Sequence, residues 1–388
     1  MTVATLQLDK SQQEAIAFAC DPSRRNAIIT GGAGTGKTTI IEALTDRIGS
    51  AYVMAPTGKA AARLKEATGA PATTIHHVLK YDGARFNRQR DFRHPVIVDE
   101  SSMVDSALLA AINRYNPPKL ILVGDDAQLA PVGKGQPFHD LVALRPDLVH
   151  NLTHCHRASG AVHKAALAIR NGEAPSPDDK SGGESFKIMN TGGPESTATR
   201  LIDFIRQGFY DPTQDVILTC RNGKTENDDG GINHINYQIK QAVNPSLKGR
   251  LIDINDRVMI VKNFPQDDLW NGDMGTVTAI DHSGLLYVSL DRDPRNDRRL
   301  TKPQVKQTNL AYCLTVHKSQ GSQFRRVFFL LFMSSHHMLS RSLIYTGVTR
   351  AKNPGGVVIM GEPKAFYAGI NKVYRKTTVI QKLENQGV

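Results

Sequence analysis

The chain has 388 residues, of which 40% are apolar, and its formal net charge is +11. That length and apolar content are enough for two or three domains with ordinary cores, so composition excludes a disordered chain. The excess of basic residues favours a polyanionic partner, with nucleic acid ahead of a membrane surface, because no stretch approaches the roughly 20 apolar residues of a membrane-spanning helix.

The N-terminus and the cysteines predict where the protein works. Residues 1–10 lack the charged and then apolar pattern of a signal peptide. The four cysteines, Cys20, Cys155, Cys220 and Cys313, contain no C-x-x-C pair. This spacing is typical of buried thiols in a reducing compartment, so we expect a cytoplasmic protein.

The first predicted element is an amphipathic helix that starts near Leu8, with Asp9 as its N-cap. Its glutamines, Gln12 and Gln13, could face a nucleotide base. The alternative is that they are solvated, as a polar helix face usually is.

A glycine-rich loop, residues 31–39 (GGAGTGKTT), follows the apolar run 27–29 and precedes another apolar segment. The order of strand, glycine loop and helix is the context of a phosphate-binding loop of the form G-x-x-x-x-G-K-[ST]. Glycines allow the backbone to curl around phosphate, and the helix start attracts anions. Lys37 is then expected to reach the β- and γ-phosphates, and the Thr38 hydroxyl to ligate Mg²⁺.

Three further apolar runs end in polar clusters. Residues 52–55 precede a Pro-Thr-Gly-Lys loop and a helix, residues 96–98 precede Asp99 and Glu100, and residues 120–123 precede a segment that ends at Gln128. In a parallel sheet with helices on both faces, ligands bind outside the carboxyl ends of the strands. We therefore expect these clusters to converge on one site.

Two excursions interrupt this pattern. An Asp-Gly turn between Tyr81 and Phe86 predicts a β-hairpin, followed by an arginine-rich segment at 87–93. In the second half, strand-loop-helix patterns restart, with a flexible loop predicted at 171–184 and short strands at 271–290. The short strands suggest a small inserted β-barrel. Trp270 is expected in its core, with a base-stacking platform as the alternative.

Asp99 and Glu100 are two adjacent carboxylates that could divide the work of holding Mg²⁺ through water and activating the attacking water, while Gln128 could sense the γ-phosphate. With these residues the sequence resembles superfamily 1 helicases. The resembling segments are 8–15 (the glutamine motif), 55–64 (APTGKAAARL, motif Ia), 74–76 (Ib), 98–103 (VDESSM, II), 124–132 (GDDAQLAPV, III), Arg157 (IV), 315–321 (TVHKSQG, V) and 345–352 (YTGVTRAK, VI). Their forms are similar to subfamily 1B, the RecD-like and Dda-like branch.

The resemblance implies an α/β fold with two RecA-like P-loop domains in tandem. The first would comprise residues 1–78 and 95–158, with a β-hairpin pin insertion at 79–94. The second would comprise 159–264 and 310–388, with a small β-barrel of the Src-homology-3 type inserted at 265–309. The family sandwiches ATP between its two domains, so arginines from both sides meet the γ-phosphate.

The resemblance also implies roles for single residues. The catalytic set is Lys37, Asp99, Glu100, Gln128, Arg157 and Arg350. The nucleotide-binding set is Gln12, Gly31, Gly34, Thr35, Gly36, Lys37, Thr38, Thr39, His156 and Gln323, with Thr38 and Asp99 as the metal pair. The DNA-binding set is Thr57, Lys59, Thr74, His76, Tyr81, Phe86, Thr315, His317 and Lys318. His156 and Gln323 depart from the aromatic residue and the glutamate that relatives commonly carry, which leaves the preference for ATP over other nucleotides open.

We therefore expect an ATP-dependent helicase that uses Mg²⁺, moves 5′ to 3′ on single-stranded DNA and unwinds duplexes. Expected partners are single-stranded DNA, junctions with duplex, and single-strand-binding or replication proteins, with no membrane. A DNA-dependent ATPase that remodels protein–DNA complexes shares every motif, whereas a small-molecule phosphotransferase leaves motifs V and VI unexplained. Replication, repair and recombination are not distinguished. Residues 150–156 also contain three histidines and a cysteine, for which packing explains more than a metal site does.

Overall fold

A computed structural model describes residues 8–154, 160–223, 231–245 and 250–373. Within these ranges the chain divides into two compact units, one at 8–154 and one at 160–373. Each unit contains a wholly or mainly parallel sheet covered by helices, which confirms the predicted α/β class.

The first unit is a six-stranded parallel sheet with helices on both faces. Its strands are β1 (Asn26–Gly31), β2 (Tyr52–Ala55), β3 (Thr73–Thr74), β4 (Val96–Val98), β5 (Leu120–Gly124) and β6 (Val149–Leu152). Its helices are α1 (Lys10–Cys20), α2 (Lys37–Ile48), α3 (Gly58–Thr68), α4 (Ile75–Val78), α5 (Ser106–Asn113) and α6 (Pro137–Leu144). The strand order is β3-β2-β4-β5-β1-β6.

Apolar residues fill both faces of this sheet, which is why its strands read as continuous apolar runs. In β1, Ile28 packs into one core cluster, whereas Ala27 and Ile29 pack into the other. The same alternation holds in β4, where Ile97 faces away from its two valine neighbours. Two layers of core thus fix the sheet and align the carboxyl ends of its strands.

The predicted hairpin of the first unit is a tight turn with a single antiparallel bridge, between Tyr81 and Phe86. The Asp82 side chain organises it by accepting hydrogen bonds from the backbone N–H groups of Ala84 and Arg85, both at 2.8 Å. Gly83 occupies the left-handed region, with φ of 105°. The turn is therefore held by side-chain hydrogen bonds rather than by long strands.

The second unit contains a mixed six-stranded sheet. Its strands are β7 (Asp178–Asp179), β8 (Ser185–Asn190), β9 (Val216–Thr219), β15 (Cys313–Thr315), β16 (Phe324–Leu331) and β17 (Ala351–Gly361), in the order β15-β9-β16-β17-β8-β7. Only the pairing of β7 with β8 is antiparallel among those of this sheet. Its helices are α7 (Ala161–Asn171), α8 (Pro194–Arg206), α9 (Ile232–Val243), α11 (Val316–Ser319), α12 (Arg341–Val348) and α13 (Pro363–Asn371).

A five-stranded antiparallel sheet is inserted between β9 and β15. It comprises β10 (Arg257–Ile260), β11 (Met274–Ile280), β12 (Leu286–Leu290), β13 (Asp293–Arg299) and β14 (Thr308–Leu310), with the short helix α10 (Lys302–Val305). The order is β13-β12-β11-β10-β14. The sheet thus begins before the predicted start of the insertion at residue 265, and its closure into a barrel stays a prediction.

The prediction that Trp270 lies in the core of this inserted sheet is wrong. The core position belongs to its neighbour Leu269, which is 2% exposed and packs with residues such as Val258 and Val277. Trp270 is half-buried, and its indole N–H donates to Asp268 at 2.9 Å. Because successive side chains in an extended segment point to opposite sides, placing Leu269 inside turns Trp270 outward.

Candidate nucleotide and nucleic-acid sites

The glycine-rich loop joins β1 to α2 in a left-handed turn. Gly34 and Gly36 have φ of 86° and 78°, and Gly36 is the N-cap of α2. A Cβ atom on Gly31 would lie 2.6 Å from Oγ1 of Thr35. The backbone therefore approaches itself too closely for larger residues, and this compact loop places the start of α2 at the carboxyl edge of the sheet.

Lys37 lies inside the loop. Its Nζ donates to the carbonyl oxygens of Gly31 and Gly32, at 2.8 and 2.9 Å. The Thr35 hydroxyl also donates to the Gly32 carbonyl, at 3.0 Å. Thr38 and Thr39 follow on the first turn of α2. The ammonium group is thus held within the curled backbone, beside the helix start where an anionic phosphate is favoured.

Gln12 is brought to the same loop by α1. Asp9 caps this helix in a reciprocal capping box with Gln12, as predicted for the N-cap. The Gln12 side chain is buried, and its Nε2 lies 3.5 Å from the carbonyl oxygen of Thr35. Gln13 is exposed and donates to the Leu8 carbonyl instead. The alternative that the glutamines are solvated is therefore wrong for Gln12.

Asp99 and Glu100 follow β4 at the carboxyl edge of the first sheet. The backbone N–H of Asp99 donates to the Met54 carbonyl at 2.8 Å, which ties this turn to β2. Burial and the neighbouring Glu100 carboxylate raise the pKa of Asp99 to about 7, while Lys37 and Arg63 oppose the rise. Two carboxyls and two cations therefore share this edge of the sheet.

Glu100 has a left-handed backbone, with φ of 50°. A non-glycine residue in this region carries a backbone cost on the order of 1–3 kcal/mol, which surrounding structure must offset. The Ser101 hydroxyl donates to the Val98 carbonyl at 2.8 Å, and the Met103 N–H donates to the Glu100 carbonyl at 2.9 Å. These bonds fix the turn that aims Glu100.

Gln128 lies in a buried polar cluster after β5. Its Oε1 is buried and accepts no hydrogen bond from the described residues, and its Nε2 lies 3.5 Å from Asp125. The His139 ring contacts the Gln128 carbonyl at 3.1 Å, and burial lowers the pKa of His139. The Thr30 hydroxyl donates to Asp126 at 2.7 Å, which links this loop to β1. The structure thus brings Gln128 to the same sheet edge as Lys37 and Asp99.

The residues at this edge fit a nucleotide with a divalent cation. Mutual repulsion between adjacent carboxyls is the condition that a dication relieves, and carboxylate and hydroxyl oxygens are the ligands Mg²⁺ prefers. Lys37 and the start of α2 suit phosphate. Sequence reasoning assigned no role to Arg63, although it lies within the motif Ia segment; its electrostatic effect on Asp99 is visible only in the fold.

The three candidate DNA-binding threonines, Thr57, Thr74 and Thr315, occupy equivalent local positions. Each is the N-cap of a helix that follows a strand, namely α3, α4 and α11. Each hydroxyl accepts a hydrogen bond from the backbone N–H three residues further on, at 3.2, 3.1 and 3.3 Å. Segments 74–77 (TIHH) and 315–318 (TVHK) thus share one local structure, one in each unit.

The other candidate DNA residues lie near these caps. Lys59 and His317 are half-buried, and partial burial lowers the pKa of Lys318. The His76 ring lies 5.2 Å from that of Tyr81 and 5.8 Å from that of Phe86, centroid to centroid. Tyr81 is 41% exposed, whereas Phe86 packs against the core of the first unit. Of the two rings, Tyr81 is therefore the one available to a base.

Arg350 and Gln323 lie in the second unit. Arg350 is buried between α12 and β17, where its Nε donates to the Thr346 carbonyl at 3.0 Å. Gln323 is half-buried just before β16. His156 and Arg157 lie outside the described residues, so their assigned roles stay predictions, as does the role of Arg350.

Within the described residues, the histidines near residue 150 do not form part of a metal site. His154 pairs with Asp9 at 3.3 Å, and the His150 ring lies 5.8 Å from Phe18. No group of three or more histidine, cysteine or acidic residues able to hold a metal occurs in the described ranges. Cys155 and His156 fall in the gap at 155–159.

The two sheets and the glycine-rich loop define a P-loop α/β protein with two RecA-like units. Family models match an AAA domain over residues 7–185 and a UvrD-like helicase C-terminal domain over residues 310–355. The chain is 30% identical over 411 residues to the RecBCD enzyme subunit RecD of Mycolicibacterium smegmatis, covering 93% of this chain and 73% of that protein. The chain belongs to the superfamily 1B helicases of the RecD type.

Two further comparisons agree with this family. The ATP-dependent RecD2 DNA helicase of Deinococcus radiodurans is 32% identical over 357 residues, which cover 88% of this chain and 48% of that protein. This chain thus spans about half the length of that relative. The Pif1 helicase from Bacteroides in complex with ADP-AlF3 and ssDNA has the same fold, with a TM-score of 0.59 at 18% identity, covering 98% of this chain and 97% of the Pif1 chain.

Proposed function

We propose that this protein is an ATP-dependent DNA helicase that translocates 5′ to 3′ on single-stranded DNA and unwinds duplex DNA. The observation that carries the proposal is the convergence of Lys37, Asp99, Glu100 and Gln128 at one sheet edge, in a chain of the RecD family. One relative is named an ATP-dependent DNA helicase, and one solved structure of the same fold is a helicase in complex with single-stranded DNA.

In this proposal each residue at the edge of the first sheet has one task. Lys37 binds the β- and γ-phosphates, and Glu100 accepts a proton from the attacking water. Gln128 contacts the γ-phosphate. Thr38 and Asp99 would hold Mg²⁺, which neutralises phosphate charge when bound. Arg157 and Arg350 stabilise the charge that develops during phosphoryl transfer.

The DNA-binding set lies on both units. Thr57, Lys59, Thr74 and His76 would contact the strand from the first, and Thr315, His317 and Lys318 from the second. Backbone N–H groups at these threonine-capped turns can donate to phosphate oxygens, as such groups commonly do in protein–DNA contacts. Tyr81 would stack against the first unpaired base at a junction.

Unwinding of labelled duplexes with a 5′ tail, a 3′ tail or blunt ends tests the proposal. We expect ATP-dependent strand separation of the 5′-tailed duplex only. Equal unwinding of the 3′-tailed duplex would contradict the direction, and failure of every duplex would contradict the helicase function.

A DNA-dependent ATPase that remodels protein–DNA complexes is the alternative, since it would use the same motifs. Displacement of streptavidin from a biotinylated single strand, measured beside duplex unwinding, separates the two. Displacement without unwinding of any tailed duplex would favour the alternative.

Partners and compartment belong to the same proposal. We infer that single-stranded DNA and its junctions with duplex are the substrates, and that single-strand-binding or replication proteins are partners. No described helix is long and apolar enough to cross a membrane. Cys220 and Cys313 are buried free thiols, and burial raises the pKa of Cys220 to about 12. Unreactive thiols fit the reducing cytoplasm that we propose.

A further inference from the structure

The chain passes from the inserted sheet to the motif V strand through two residues. Strand β14 ends at Leu310 and β15 begins at Cys313, so Ala311 and Tyr312 alone join them. The Ala311 N–H donates to the Arg257 carbonyl at 2.8 Å, which pins the joint to the start of the inserted sheet. Any shift of this joint moves Thr315, which caps α11 only three residues later.

Tyr312 is anchored by a buried carboxylate. It is one of the largest fully buried side chains, and its hydroxyl donates to Oδ1 of Asp256 at 2.9 Å. Burial and the Asp256 carboxylate raise the pKa of Tyr312, which keeps its proton available for this bond. Asp256 immediately precedes β10, so the bond ties both ends of the inserted sheet together.

Asp256 is in turn held by α9. Its side chain is fully buried, forms an ion pair with the buried Lys240, and accepts a hydrogen bond from Asn244 at 2.8 Å. Asp253 lies 3.7 Å from the same Lys240 ammonium. The Lys240 ammonium thus contacts two carboxylates, and both Lys240 and Asp256 are shielded from solvent.

One turn earlier on α9, Asn236 binds the motif V strand itself. Its Oδ1 accepts a hydrogen bond from the Cys313 N–H at 2.8 Å, and its Nδ2 donates to the Cys313 carbonyl at 3.0 Å. Strand β15 is an edge strand of its sheet. The amide therefore satisfies backbone groups that an edge strand leaves unpaired, in one fixed register.

A buried ion pair is a poor source of stability, because the desolvation of its charges offsets most of their attraction. Directional bonds to a buried carboxylate do constrain position, since each requires a set distance and angle. We therefore expect the network to fix the position of the joint, Ala311 and Tyr312, more than it stabilises the core.

We propose that Lys240, Asp256, Tyr312 and Asn236 are positioning residues that hold the motif V segment, Thr315 to Lys318, in its DNA-binding geometry relative to the inserted sheet. In this proposal the network acts through the backbone of residues 311–315. This inference rests on the proposed function, because it assigns a task to the DNA contact of motif V.

The test compares Tyr312→Phe and Asp256→Asn with wild type in ATPase assays stimulated by oligo(dT). Loss of one directional hydrogen bond should raise the half-saturating oligo(dT) concentration about fivefold to tenfold. The KM for ATP and the rate without DNA should stay within about twofold, because none of the residues assigned to the nucleotide, in either unit, is changed. Tyr312→Phe removes a single hydroxyl and guards against failure of Asp256→Asn to fold.

Asp215→Asn is the matched control. Asp215 is also fully buried in the second unit, and it forms ion pairs with Arg325 and Arg326. It lies just before β9, whereas Thr219, which pairs with Thr315, lies at the other end of that strand. The Asp215→Asn variant should lower the melting temperature about as much as the two test variants do. Its half-saturating oligo(dT) concentration should equal that of wild type. Equal oligo(dT) shifts in control and test variants, or no shift in the test variants, would overturn the inference. Absence of any stimulation in wild type would instead refute the proposed function.

Discussion

At the scale of single residues, side chains that bury polar atoms distinguish the nucleotide site from ordinary surface. The Gln12 side chain is only 3% exposed, and its amide nitrogen donates a hydrogen bond to the carbonyl of Thr35. Glu100 adopts a left-handed backbone that few residues tolerate. The backbone of Glu100 costs free energy in the protein alone, and such a cost is typical of a residue placed for a ligand.

Gln12→Ala should raise the KM for ATP about threefold to tenfold, because one hydrogen bond that fixes the loop at Thr35 is lost. The maximal rate should change little. Steady-state ATPase assays with saturating single-stranded DNA measure both values. Gln13→Ala is the matched control, since its exposed neighbouring amide contacts only the Leu8 carbonyl. An equal effect of the two substitutions would contradict a specific role for Gln12.

Glu100→Gln should lower the ATPase rate by about 10²- to 10⁴-fold, the usual contribution of a general base. Nucleotide binding should persist, because Lys37 and the loop are intact. Rapid-mix ATPase assays and binding of a fluorescent ATP analogue measure the two properties. A variant that hydrolyses ATP at more than a tenth of the wild-type rate would assign the base elsewhere.

At the scale of elements, the turn at Tyr81 to Phe86 is the one to which we assign a role at the junction of single strand and duplex. Its conformation is set internally by Asp82, which also accepts a hydrogen bond from the Asn87 side chain at 2.7 Å. Hydrogen bonding to these groups lowers the pKa of Asp82. Phe86 anchors the turn, since the Tyr115 hydroxyl donates to its carbonyl at 3.0 Å. The exposed Tyr81 ring is therefore presented by a rigid support.

Tyr81→Ala should reduce duplex unwinding severalfold while DNA-stimulated ATPase stays near wild type. Stacking of a base on an aromatic ring contributes roughly 1–3 kcal/mol, comparable with the mean of about 1.4 kcal/mol for a DNA stacking step. Strand-displacement assays on a 5′-tailed duplex measure the effect. Arg85→Ala, which changes an exposed residue of the same turn, is the control. Unwinding that is unaffected by Tyr81→Ala would mean that the residue that contacts the first unpaired base lies outside this turn.

The strands that the sequence predicts correctly are those whose side chains are buried on both faces of a sheet. The strands at 52–55 and 96–98 have the predicted bounds, because continuous apolar runs mark them. Strand β13 (DPRNDRR) carries no apolar pattern, since it is a solvated edge. The sequence does not predict strand β10, because the charged residues Asp256 and Arg257 stand at its start and charged residues are not expected in a buried strand. The ion pairs that allow their burial form only in the fold.

The candidate site follows the same division. The positions of Lys37, Asp99 and Gln128 at one edge follow from strand ends in a parallel sheet, so sequence predicted their convergence. The burial of Gln12, the charge of Arg63 beside Asp99 and the outward turn of Trp270 depend on distant contacts. No local pattern encodes such contacts, and only the tertiary structure displays them.

At the scale of the whole molecule, charge is the property that both units share. A net charge of +11 attracts any polyanion, so binding alone does not identify a DNA track. Cations that bind DNA can be distinguished from the rest by how affinity depends on salt, because each phosphate contact releases condensed counterions. The candidate lysines Lys59 and Lys318 lie on different units and can be tested separately.

If about five phosphates are contacted, a plot of log K against log salt for oligo(dT) should have a slope near −3.5, at about 0.7 per contact with a single strand. Lys59→Ala and Lys318→Ala should each make the slope less steep by about 0.7. Lys187→Ala should leave it unchanged, although it removes the same charge, because β8 lies near the opposite edge of the sheet from the strand of Thr315. Fluorescence anisotropy between 50 and 300 mM salt, on the order of the range where such slopes are linear, measures all four proteins. Equal changes in all three variants would mean that net charge, rather than a defined track, controls binding.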